Sequence, residues 1–95
     1  MKIKALHNQD KKVSAKSLFN GEVGNATAIQ LKKNGILKDH VTLTPALLLC
    51  IKGKVIYRDE TDKEIELMSG DYVQIVPNVI HWLEGRENAH LVLLK

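Results

Sequence analysis

The sequence predicts an all-β fold, an antiparallel sandwich or barrel, and three features carry that prediction. Apolar and polar residues alternate in short runs at Thr27 to Leu31, Val55 to Arg58 and Glu64 to Leu67. Turn signals recur at short intervals: Asn20-Gly21, Gly24-Asn25, Asn34-Gly35, Lys52-Gly53-Lys54, Asp59 to Asp62, Ser69-Gly70-Asp71, Pro77-Asn78 and Gly85-Arg86. No segment holds an apolar period of 3.6 residues behind an N-cap; Ser14 to Phe19 has room for a single helical turn at most.

Taken in order, residues 1–23 form an N-terminal strand segment, and the stretch from about residue 24 to 95 carries the regular alternation. One strand runs up to His40. The next, Ala46 to Ile51, is apolar at every position, so it needs cover on both faces. A charged hairpin around Asp59 to Asp62 joins Val55–Arg58 to Glu64–Leu67. Gly70-Asp71 then turns the chain into Tyr72–Ile75, and Pro77-Asn78 interrupts it two residues ahead of His81 and the only Trp, Trp82. The last strand, Leu91 to Leu94, is again apolar on both faces.

The chain of 95 residues supports one domain with one modest core. Apolar residues at 44% and charged residues at 26% are ordinary for a globular protein and exclude wholesale disorder. No apolar run approaches membrane-spanning length, so no membrane association is expected. The opening MKIKALHNQDKKVS has lysines without an apolar stretch, which is not a secretory signal. A single cysteine rules out an internal disulfide framework, and a cytoplasmic location is the expectation. Cys50, inside an apolar run, reads as a small buried side chain. The net charge of +3 is spread over scattered lysines, a solvated surface that does not call for nucleic acid.

This order of elements resembles a small single-domain cupin, over about residues 24 to 95. The resemblance implies a jelly-roll barrel, the double-stranded β-helix, with a metal site built from two motifs. The second motif is well matched. Gly70-Asp71 opens it, Pro77 stands one place late, and Asn78 takes the usual glycine position, where Asn tolerates positive φ. His81 falls on the position of a metal ligand, and Gly85 replaces the motif's closing Asn. The first motif is eroded. His40 fits its first histidine, whereas the second falls on Val41 or Thr42 and the glutamate on Ala46. Two ligands of four remain, His40 and His81, and a transition-metal site normally takes three or four.

If Ala46 points inward as the family's glutamate does, strand parity turns Leu48 and Cys50 inward too. The resemblance also turns Val55 and Tyr57 inward, and Tyr57 becomes a candidate for cofactor or ligand binding through its phenol. Trp82 has the opposite parity from His81 and should face outward, while His7 and His90 read as surface or strand-face residues. The expected function is binding of a small molecule in the barrel, or weak binding of a divalent transition metal (Zn, Ni, Fe or Mn) by His40 and His81. A metal-dependent enzyme of dioxygenase or isomerase type is the first alternative, and it needs a further ligand. A single-stranded nucleic-acid-binding barrel is the second, and it has few stacking aromatics to work with. Leu47, Leu49 and Ile51, projecting away from the barrel, predict a homodimer. The competing arrangement folds residues 13–19 back over them within one chain.

Overall fold

The computed structural model describes residues 1–95, with one 3₁₀ turn (Ile3–Leu6) and seven strands. The strands are β1 (Val13–Asn20), β2 (Asn25–Leu31), β3 (Ile36–His40), β4 (Ala46–Asp59), β5 (Glu64–Met68), β6 (Tyr72–Ile75) and β7 (His81–Leu94). Every pairing is antiparallel. No helix is long and apolar enough to cross a membrane.

β4 and β7 are each 14 residues long, against roughly five or six for an ordinary strand, because each serves two sheets. In the first sheet β1 pairs β2, β2 pairs the end of β7, and Ala46 to Leu49 of β4 sit between β7 and β6. In the second, β3 pairs the start of β7, which pairs the end of β4, which pairs β5. The register shifts repeatedly between Cys50 and Val55, where the ladder bends from one sheet to the other.

Two glycines make that bend possible. Gly53 has φ +91°, and a Cβ there would run into the Asn88 carbonyl and Ala89. Gly85 sits under the β2–β3 loop, where a Cβ would overlap the Lys32 carbonyl. Its N–H donates to the Gly35 carbonyl at 2.8 Å and its carbonyl accepts from Asn34 N–H at 3.0 Å. The position at which the cupin motif has Asn is thus one that a side chain could not occupy here.

Thirteen buried residues fill the space between the sheets. Ala46, Leu48 and Cys50 point inward together, as parity requires, and the register shifts between Cys50 and Val55 change the parity so that Val55 and Tyr57 point inward as well. The intervening Leu47 and Leu49 are half-buried on the outer face, and Ile51 and Leu94 are exposed. Trp82 pairs with Arg58 across the ladder, on the face opposite His81.

Residues 14–19, with room for a helical turn at most, form none and lie in a strand of the N-terminal segment. Ser14 pairs with Gln30 and Lys16 with Ala28, so the segment is an edge strand. Its polar alternation is the pattern of a strand with little apolar surface to bury. Because β1 extends the sheet beside β2, it does not fold over Leu47 and Leu49. The helical turn lies instead at Ile3–Leu6, and the residues after it cover part of the outer face. Gln30 donates from Nε2 to the Asn8 and Lys11 carbonyls, both at 3.1 Å. His7, expected at the surface, is buried there with Nδ1 2.8 Å from Ser14 Oγ.

Candidate functional site

The bend at Pro77-Asn78 is what delivers His81. Asn78 adopts φ +64° and its N–H donates to the Thr42 carbonyl at 2.8 Å. The chain therefore turns tightly enough for β7 to restart with His81 on the inner face, 7% exposed. His40, the last residue of β3, is its cross-strand partner, and the two ring centroids are 6.3 Å apart with planes tilted by 32°. His40 is exposed as a residue yet contributes to the wall of the same cavity.

That cavity has a volume of about 220 Å³ and reaches into the barrel. Its wall is mainly apolar, with Leu37, Leu48, Ile75, Leu83 and Leu93 among its residues. The polar groups are few: His40, His81 and Thr42, with Thr27 and Lys95 also in the wall. Thr42 is 7% exposed and its Oγ1 has no hydrogen-bond partner. A buried hydroxyl left unpaired loses its bonds to water without replacement, so Thr42 Oγ1 has a hydrogen bond to offer to a group entering the cavity.

Burial holds the His81 imidazole below its ordinary pKa, and the neighbouring His40 adds to the effect. The ring is therefore neutral near pH 7. Its Nδ1 lies 3.3 Å from the Val79 carbonyl. A carbonyl can only accept, so Nδ1 carries the proton and Nε2 keeps its lone pair. The other face of the ring is occupied by Tyr57, whose ring stacks on it at 5.7 Å and 21°. Tyr57 is 2% exposed, and burial, with Asp59 nearby, raises its phenol above the ordinary value. The structure places it in the core behind His81, outside the cavity wall.

Asp59, the ladder partner of His81, is the nearby carboxylate that the motif reading passed over. Its Oδ1 accepts from Thr61 N–H at 2.8 Å, Thr61 Oγ1–H at 2.5 Å and Lys63 N–H at 3.3 Å. Burial pushes its pKa up, but these bonds and the Lys63 charge outweigh it and hold the carboxyl below its ordinary value. The group is engaged in closing the β4–β5 hairpin. A closed metal centre does not fit this donor set: Ala46 supplies nothing at the glutamate position, and no three His, Cys, Asp or Glu side chains are grouped to hold an ion.

A barrel of two antiparallel sheets sharing β4 and β7, with a pocket between them, has the cupin fold. The solved structures it resembles say the same. It superposes with a TM-score of 0.85 on a cupin superfamily protein from Desulfitobacterium hafniense, at 13% identity over 98% of this chain and 84% of the other. A cupin-2 domain protein from Shewanella frigidimarina gives 0.80 at 15% identity, covering 97% and 86%. An RmlC-like cupin from Methanocaldococcus jannaschii, described as a double-stranded β-helix, gives 0.78 at 20% identity, covering 94% and 84%. No protein-family model matches the sequence, and no curated protein is significantly similar to it. At these identities the likeness establishes the fold alone.

Three of the four histidines, His7, His81 and His90, are held below the ordinary imidazole pKa, in each case first by burial. Between their folded values and the unfolded value of about 6.5 the unfolded chain binds more protons, so stability rises with pH there. The full contribution is present above about pH 6.5 and is lost as pH falls through the folded values. The thermal midpoint is expected to drop on acidification from about pH 7 to 5, before most carboxylates titrate. A midpoint flat over that range would show that these rings are as easily protonated folded as unfolded.

Proposed function

We propose that this cupin barrel binds a small, largely apolar molecule with one hydrogen-bonding end, and that it acts as a binding or accessory protein. The observation that supports this is the cavity itself, mainly apolar, with the His81 lone pair, His40 and the unpaired Thr42 hydroxyl as polar groups beside Thr27 and Lys95. A few convergent polar groups in an apolar wall are the usual make-up of a small-molecule site. At about 220 Å³ the cavity is smaller than the roughly 300–1,000 Å³ of drug-sized pockets, which limits the ligand to fragment size. Titrating a library of such fragments against ¹⁵N-labelled protein should give at least one saturable response centred on Thr42, His81 and Leu83. Leu93→Phe, which fills the cavity, should abolish it, and Thr42→Val should weaken it. Responses that survive Leu93→Phe unchanged would refute the reading.

Weak binding of a divalent transition metal by His40 and His81 is a second activity of the same site, supported by their 6.3 Å separation. It would weaken on acidification as the His81 imidazole takes up a proton in place of the metal. A dioxygenase or isomerase chemistry would require a third ligand, and the neighbouring carboxylate of Asp59 is already committed.

The proposal extends to a homodimer through the outer face of the first sheet. Leu47 pairs Leu94 and Leu49 pairs Val92 across the β4–β7 ladder; Val92 is already buried, whereas Leu47 and Leu49 are half-buried and Leu94 exposed, an apolar patch that β1 leaves uncovered. A two-fold copy of the same patch is the simplest cover. Leu49→Glu should then yield monomers or aggregates; wild-type protein that light scattering finds monomeric at all concentrations would rule the dimer out.

A further inference from the structure

The outer face of the first sheet also carries a polar pocket, remote in character from the apolar cavity. Ser14, Gln30, His90 and Lys52 form one cross-strand row over β1, β2, β7 and β4. The segment following the 3₁₀ turn folds across this row, and the two enclose a pocket of about 240 Å³. Lys4, Lys32 and Lys52 line it together with Gln30, Asn88 and His90. None of the three lysines takes part in an ion pair. Lys32 donates to the Gln9 carbonyl, which holds its ammonium group over the pocket.

The floor is unsatisfied. Gln30 is 2% exposed, and its Nε2 is committed to two backbone carbonyls, which fixes the amide orientation and leaves Oε1 without a partner. His90 Nδ1 is buried and equally unpaired. The His7 ring lies 5.9 Å from the His90 ring, and its Nε2 also has no partner. Two imidazoles side by side would suit a cation, but three unpaired ammonium groups would repel one. The charge selects an anion. The Gln30 Oε1 acceptor adds a second requirement, because a bare anion would face it lone pair to lone pair.

We propose that this pocket binds a small oxyanion that carries its own hydroxyl proton, such as hydrogen phosphate or a hydroxycarboxylate. The charged oxygens meet Lys4, Lys32 and Lys52, and the hydroxyl donates to Gln30 Oε1. His90 then gains a proton on binding. In the empty pocket it is kept neutral by burial, by His7 and by Lys4 and Lys52, while Lys16 acts on His7 from β1. An anion among these cations reverses that balance, so binding of glycolate, whose own charge does not change over this range, should strengthen as pH falls from about 8 to 6.

The test is an NMR titration of ¹⁵N-labelled full-length protein with inorganic phosphate, glycolate and sulfate, reading the Lys32, Gly53 and Ala89 amides and the His90 ring. Phosphate or glycolate, or both, should saturate with a dissociation constant of about 1 mM or below, and the tighter of the two identifies the class of headgroup. Sulfate, which has no proton to donate near neutral pH, should bind several-fold more weakly. The exposed double variant Lys4→Gln/Lys52→Gln should lose about tenfold in affinity, whereas Lys63→Gln on the distant hairpin should not. The proposal is overturned if neither phosphate nor glycolate saturates, if sulfate binds as well as both, or if the double variant binds like wild type.

Discussion

Replacing Gly53 by alanine is expected to cost the fold about 2–5 kcal/mol. The residue sits at φ +91°, where an L side chain is strained by roughly 1–2 kcal/mol. The added Cβ meets backbone, the Asn88 carbonyl and the Ala89 Cα, and not the yielding end of a side chain. Forcing that contact apart costs roughly another 1–3 kcal/mol by analogy with overpacked cores. The consequence is large because β4 and β7 pass each other here on their way from one sheet to the other. A domain of this size has only about 5–15 kcal/mol of stability in total. Denaturant unfolding of Gly53→Ala measures it directly. A loss below about 1 kcal/mol would show that the corner can open without disturbing the barrel.

The second large effect is expected at Tyr57. Its ring is 2% exposed, belongs to the core and stacks on His81. Tyr57→Ala should cost about 3–5 kcal/mol, as for other large aromatic truncations, and lower the thermal midpoint by about 15 °C or more. It should also release His81 from its fixed ring plane. Tyr57→Phe keeps the stacked ring and should cost no more than about 1.5 kcal/mol. The pair of variants separates the two roles considered for this residue. If the phenol contacts a ligand, Tyr57→Phe weakens binding while leaving the fold intact. If the residue acts by packing behind His81, Tyr57→Phe binds like wild type and only Tyr57→Ala does not.

The parts of this molecule that were legible in its sequence are those governed by local rules. The resemblance turned Ala46 inward, strand parity carried Leu48 and Cys50 with it, and the structure buries the same three. Asn78 was readable as the residue of positive φ because few other side chains tolerate it, and it has φ +64°. His81 followed from that bend. What escaped were the relations between distant segments. Nothing local to β4 or β7 announces that each serves two sheets, since the bend depends on Gly53 lying against Ala89. His7 read as a surface or strand-face residue because it lies outside both motifs; its burial comes from Ser14 and Gln30, on strands that lie beneath the N-terminal segment. Thr42 was visible only as the wrong residue at a histidine position. Its significance is an unpaired hydroxyl in a cavity, which requires the whole barrel to be seen. Asp59 was hidden for the opposite reason, as a hairpin carboxylate whose bonds to Thr61 and Lys63 are local.

On the function proposed, the barrel holds a small molecule where a cupin metal centre would lie, and its two imidazoles are too few to retain an ion. Elemental analysis of protein purified without an affinity tag tests this most directly. The protein is incubated with one equivalent of Zn²⁺ or Ni²⁺ at neutral pH and then passed through a desalting column. Well under one ion per chain is expected after the column, with no difference between wild type and His81→Ala. One ion retained per chain in the wild type, and lost in both His40→Ala and His81→Ala, would contradict it.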